Sequence, residues 1–137
     1  MNKEDCIFCK IIKREVPSAV VFEDETAFAF LDINPVTEGH VLLIPKNHHA
    51  NILETPDNLV QDLFLKAKHL MPAVKDGAGS EYVAISVVGT DVAHFHIHLI
   101  PRSKNDGLKG FWNTKKYESL EKMNEVAEKI KLSVVSL

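Results

Sequence analysis

The chain is poor in cysteine. Its 137 residues contain only Cys6 and Cys9, too few for a disulfide framework, and their Cys-x-x-Cys spacing suggests metal or redox chemistry in a reducing compartment. It also lacks any run of about 18 apolar residues. No apolar segment follows Met1-Asn2-Lys3-Glu4-Asp5, so neither membrane spanning nor secretion is expected and a cytoplasmic protein is the simplest expectation. An excess of charge of one sign is lacking as well: the net charge of -3 offers no general attraction to nucleic acid or to a membrane surface, and neither is an expected partner. No repeat, low-complexity tract or linker is present. With 45% hydrophobic and 26% charged residues, the composition is that of a globular protein, and the length suits a single domain over residues 1–137.

Periodicity predicts a short helix over residues 5 to 14, where Ile7, Ile11 and Ile12 fall at helical spacing before Pro17. Strands are predicted over 19 to 23 and 27 to 32, joined around Asp24-Glu25-Thr26, and again over 40 to 45. The clearest long helix runs from Thr55, a candidate cap, to about residue 74, with Pro56 at its first position and an apolar stripe of Leu59, Val60, Leu63, Phe64, Ala67, Leu70 and Met71. A strand over 82 to 88 and a histidine-bearing strand follow. Residues 103 to 116 read as a polar loop containing Trp112, and 117 to 135 as a helix that packs on the sheet. The expectation is an α+β domain: a mainly antiparallel sheet of about five strands, one long central helix and a C-terminal helix.

Residues 94 to 102 read His-Phe-His-Ile-His-Leu-Ile-Pro-Arg. In an extended strand His94, His96 and His98 share one face, and Phe95, Ile97 and Leu99 the other. Three imidazoles on one face suit a metal, a nucleophile with hydrogen-bonding neighbours, or a structural polar cluster. No carboxylate sits at ligand spacing beside them, and Arg102 suits an anion better than a metal site. Cys6 and Cys9, with two of the histidines at 40, 48, 49, 69 and 94, would complete a closed tetrahedral zinc site. A thioredoxin-like redox motif normally follows a buried strand, and none precedes this pair; two buried thiols are the plainer alternative. In Phe30-Leu31-Asp32-Ile33-Asn34-Pro35 an acid ends an apolar strand, where it could accept both hydroxyls of a ribose or simply initiate a turn.

Taken together, these residues resemble the histidine-triad family. The segments Cys6-Ile7-Phe8-Cys9, Phe30 to Pro35, Gly39 to His48 and the triad occur in the family's order, closest to its bacterial Hint-like branch. The resemblance implies a HIT-like fold, a homodimer, and nucleotidyl transfer at the α-phosphate of a nucleotide, usually a purine one. The reaction class is hydrolysis of phosphoramidate or phosphoanhydride bonds through a covalent nucleotidyl-histidine intermediate. It assigns the nucleophile to His96 and phosphate stabilisation to His98, with backbone amides around Gly89 to Asp91 as further donors. It places Asp32 on the ribose and Ile7, Phe8, Ile11, Phe30 and Ile33 around the base. It implies a structural zinc on Cys6, Cys9, His48 and His94, and no catalytic metal.

The turn before the triad, Val87-Val88-Gly89-Thr90-Asp91-Val92, is shorter than in relatives of this branch and lacks their asparagine and Gly-Gln-x-Val. Asp91, if it points inward, brings negative charge to the phosphate site. Trp112 either lines the leaving-group side or anchors its loop. The competing expectations are a nucleotide- and zinc-binding module with little turnover, and a metal hydrolase that uses the triad as ligands.

Overall fold

The computed structural model describes residues 3–108 and 116–133. Within the compact unit Met1–Asp106, five strands form one antiparallel sheet in the order β1-β2-β3-β5-β4. They are β1 Val20–Glu23, β2 Ala27–Leu31, β3 Val41–Pro45, β4 Tyr82–Ser86 and β5 Ile97–Arg102. Alternation sorts their side chains into two cores. Ala27, Ala29, Val41, Leu43, Ile97 and Leu99 face one side, where Phe95 and helix α2 (Asp57–Ala78) join them through Leu63 and Ala67. Phe28, Phe30, Leu42 and Ile44 face the other, against Cys6, Phe8, Cys9 and Ile11 of the segment around α1 (Ile7–Ile12). The two rings of β2, Phe28 and Phe30, lie on the α1 side, where a helix of six residues brings little apolar surface of its own.

The α+β class, the sheet, the long helix and a C-terminal helix are those the sequence predicts; several boundaries differ. α2 does not start on a Thr55 cap: the Thr55 hydroxyl donates to the Asn51 carbonyl instead, and Pro56 is the capping residue without a side-chain bond. The helix also passes through Pro72 to Ala78, four residues beyond the expected end. Pro72 is exposed, whereas Leu70 and Val74 on either side of it pack against the core. Their burial offsets one lost backbone bond. Gly79, at φ +66°, ends the helix, with the Ser80 N–H donating to the Lys75 carbonyl. Phe64 is 37% exposed and does not belong to the buried stripe.

The residues of Gly107–Leu137 form a second compact unit, whose described helix is α3 (Leu120–Ser133). The Ser119 hydroxyl caps it by accepting from the Lys122 N–H at 3.0 Å. Trp112 lies outside the described residues. No described helix is long and apolar enough to cross a membrane.

Candidate functional site

The registry of β3 and β5 builds the site. Leu42 pairs with His98, so His98 lies on the α1 face. His94 and His96 precede the ladder: β5 begins at Ile97, and the Phe95 N–H donates to the His49 carbonyl at 2.7 Å. The side chains still alternate, since Phe95 and Ile97 join the α2 core and Phe8 meets both His94 and His96 edge-on.

At the start of α1, Cys6 is the N-cap, and its sulfur accepts the Cys9 N–H. The two sulfurs converge with Nδ1 of His48 and of His94. The separations are 3.4 Å for Cys6 Sγ to His94, 3.3 Å for Cys9 Sγ to His48, 3.5 Å for Cys9 Sγ to His94, and 3.2 Å between the two Nδ1 atoms. Zinc bonds of about 2.3 Å to sulfur and about 2.0 to 2.1 Å to nitrogen set tetrahedral edges near 3.5 and 3.3 Å, so the donor set fits the metal. The opposite nitrogen, His94 Nε2, donates to the Pro45 carbonyl at 2.8 Å, which leaves Nδ1 as the atom available to a metal. Burial holds the His94 imidazole down to about 4, against the pull of the Pro45 carbonyl. It is therefore neutral at pH 7, the form a metal requires.

The remaining imidazoles are wired the other way round. The Val36 N–H donates to His40 Nδ1 at 3.0 Å, so the His40 proton is on Nε2. That nitrogen lies 2.9 Å from His98 Nδ1 and donates to it, which puts the His98 proton on Nε2. His96 Nδ1 donates to the His94 carbonyl at 2.7 Å, which leaves a lone pair on His96 Nε2. Burial lowers the affinity of His40 for a proton, against the nearby Asp32 carboxylate; burial does the same to His98, together with His96 and His40. His96 Nε2 and His98 Nε2 are both buried without a hydrogen-bond partner among the described residues. One is a free acceptor and the other a free donor.

A cavity of about 250 Å³ is lined by Ile7, Phe8, Ile11, Phe30, Asp32 and Ile33, with Asp91 and Val92; it meets this cluster through Phe8, whose ring packs on His96, and through Asp91, while His96 itself lines a separate cavity of about 230 Å³. Phe8 and Phe30 meet edge to face at 5.4 Å, while Ile33, 88% exposed, belongs to the rim. Asp32 accepts the Asn34 N–H at 2.8 Å through Oδ1, and its Oδ2 lies 3.8 Å from His40 Nε2. It thus initiates a turn and keeps an oxygen at the cavity. Gly89 adopts φ +75° in an exposed turn and does not line this cavity. Asp91 points inward, with Oδ1 3.6 Å from His96 Nε2.

His40, in the sequence only one of five histidines that could complete the zinc site, instead holds His98. Its signal was the period of two in β3, which puts it on the face of Leu42 and hence of His98. Nor do the triad nitrogens converge on one point: His94 Nδ1 sits among the thiols. His40 and His98 are 2.9 Å apart, a hydrogen-bond length, where a shared metal would hold them about 3.3 Å apart. Size alone would mislead, since a cavity of about 360 Å³ beside α2 is apolar apart from Glu38 and contains no imidazole or thiol.

The sequence profile of the HIT domain matches residues 13–105. The adenosine 5'-monophosphoramidase of Saccharomyces cerevisiae is 43% identical over 109 residues, which span 78% of this chain and 69% of the yeast protein. A HIT-family protein of Bacillus subtilis has a crystal structure that superposes with a TM-score of 0.79 at 36% identity, covering 97% of this chain and 99% of its own. A zinc-bound histidine triad family protein of Mycobacterium smegmatis superposes with a TM-score of 0.75 at 26% identity, covering 97% of this chain and all (100%) of its own.

Proposed function

The chain belongs to the HIT domain family, and from that premise we propose that it is a nucleotide hydrolase or transferase acting at an α-phosphate through a covalent intermediate on His96. The observation that carries the reading is the lone pair left on His96 Nε2 by the bond from Nδ1 to the His94 carbonyl. A neutral imidazole is a competent nucleophile at pH 7. In the first step Nε2 forms a bond to phosphorus. The bond to the leaving group breaks, and the leaving group departs with the electron pair and gains a proton. In the second, water attacks phosphorus, loses a proton to solvent, and the phosphorus–nitrogen bond breaks to return the lone pair to Nε2. His98 Nε2–H donates to a phosphoryl oxygen and stabilises the developing charge, with His40 fixing its tautomer. Backbone amides from Gly89 to Asp91 are further donors in this reading.

The nucleoside occupies the cavity of about 250 Å³, a purine against Phe8, Phe30, Ile7, Ile11 and Ile33 and the ribose on Asp32. Phosphoramidates and dinucleoside polyphosphates are the substrate classes this arrangement suits. Cys6, Cys9, His48 and His94 would hold zinc, which when bound supplies a structural cross-link between α1, the β3 end and the triad. The protein works in the cytoplasm as a homodimer in this reading. The test is to quench the protein with an adenosine phosphoramidate and look for an acid-labile nucleotidyl adduct. The expected result is an adduct on wild type and none on His96→Ala, which still binds nucleotide. Binding without adduct or turnover in wild type would favour the module reading, to which the inward carboxylate of Asp91 lends its support.

A further inference from the structure

Asp91 is the charged group of the site that nucleotidyl transfer leaves without a task. Its Oδ1 lies 3.6 Å from His96 Nε2, and it is the one carboxylate within 4 Å of that nitrogen among the described residues. The same oxygen accepts the Val92 N–H at 3.1 Å. The side chain is otherwise 67% exposed, so it is tied at one point and can swing aside. The adjoining cavity adds a second observation. Asp32 and Asp91 are the two charged residues of its described lining, which contains no lysine or arginine. The cavity that His96 lines contains no lysine or arginine either, so a phosphoryl group arriving on His96 meets imidazole and amide donors together with a carboxylate, and no lysine or arginine among the described lining residues. Carboxylate and phosphoryl group each present acceptor oxygens to an N–H donor. With Oδ1 on the Val92 N–H, the Asp91 carboxylate rests beside the nitrogen that a phosphoryl group would use.

Resting on the nucleotidyl-transfer reading, we propose that Asp91 is a phosphate surrogate that limits the charge of whatever sits at His96. An α-phosphoryl group esterified or amidated on both sides carries one negative charge and displaces the carboxylate. A 5'-monophosphate carries nearly two at neutral pH and is repelled more strongly. Asp91 thereby weakens the hold on the hydrolysis product relative to the substrate, at the cost of general affinity for anions. It is a specificity-determining residue that discriminates by charge, and the neutral nucleoside is indifferent to it.

Calorimetric titration of zinc-loaded wild type, Asp91→Asn and Asp91→Ser with adenosine and with AMP tests this at pH 8 and low salt. Both variants should bind AMP about tenfold more tightly than wild type, with adenosine affinity unchanged within about twofold. Added salt should narrow the gap between wild type and variants. A packing role for Asp91 would shift both ligands together, and that result overturns the proposal. Unchanged AMP affinity beside intact adenosine binding overturns it alone. Failure of both ligands to bind any of the three proteins overturns the nucleotide reading and this proposal with it.

Discussion

Two histidine clusters share one face of the sheet, and they use opposite nitrogens. In the cluster with the thiols, Nδ1 of His48 and of His94 turns inward to the sulfurs, and Nε2 of His94 is tied to the Pro45 carbonyl. In the cluster beside the cavity, Nδ1 of His40, His96 and His98 is tied, and Nε2 of His96 and of His98 is left without a partner. In the proposed reading the difference separates a site that would close around an ion from a site that would stay open to a substrate. Residue types alone do not distinguish them. What distinguishes them is which ring nitrogen the surrounding chain, through backbone groups or His40, has already claimed. His94 belongs to both, its ring among the donors and its carbonyl holding His96.

Removing a sulfur breaks the comparison most severely. Cys9→Ser should lose the bound metal and about 3 kcal/mol of stability, because a closed tetrahedral site contributes its binding energy to folding. Thermal unfolding should move down by about 10 °C, and elemental analysis should give less than one zinc per chain. An unshifted melting curve with zinc lost would mean that the donor cluster is not structural. His40→Ala acts on the other cluster. It frees the His98 tautomer without touching substrate and should lower kcat by about 10- to 100-fold with little change in KM. His40→Gln, whose amide N–H can still donate to His98 Nδ1, should recover part of the loss. If alanine and glutamine behave alike, the Val36 to His40 to His98 chain does not set the tautomer.

The periodicity of the sequence was enough for the sheet, because Ala27 to Phe30 and Val41 to Ile44 alternate between two different partners and a slip of one residue would exchange them. Pro72 obscured the end of α2, since the burial of Leu70 and Val74 that carries the helix past it is a tertiary effect. At the site, the Cys6, Cys9, His48 and His94 grouping was accessible through motif order. The nitrogen used by each ring was not, because it depends on bonds to Pro45, Val36 and the His94 carbonyl, which only the folded chain brings near. The direction of the Asp91 side chain was not legible either, since an exposed turn residue has no periodicity to orient it.

A smaller effect concerns acid. His40, His94 and His98 bind protons less readily folded than unfolded, chiefly through burial. The unfolded chain therefore takes up more protons as pH falls. Stability should be steady above about pH 6.5, the unfolded value, and decline from there toward about 4, where His94 titrates. Urea midpoints on metal-free protein check this, and a midpoint that holds level across that window would contradict it. Metal-loaded protein should decline more steeply, since protons also compete for the ligands.

The central claim is the opposite wiring of neighbouring imidazoles, and long-range proton–nitrogen NMR of the histidine rings in zinc-loaded, ¹⁵N-labelled protein at pH 8 reads it directly. The account predicts His96 protonated on Nδ1 and both His40 and His98 protonated on Nε2. His96 found with its proton on Nε2 would leave no lone pair facing the cavity, and the assignment of the nucleophile would be wrong.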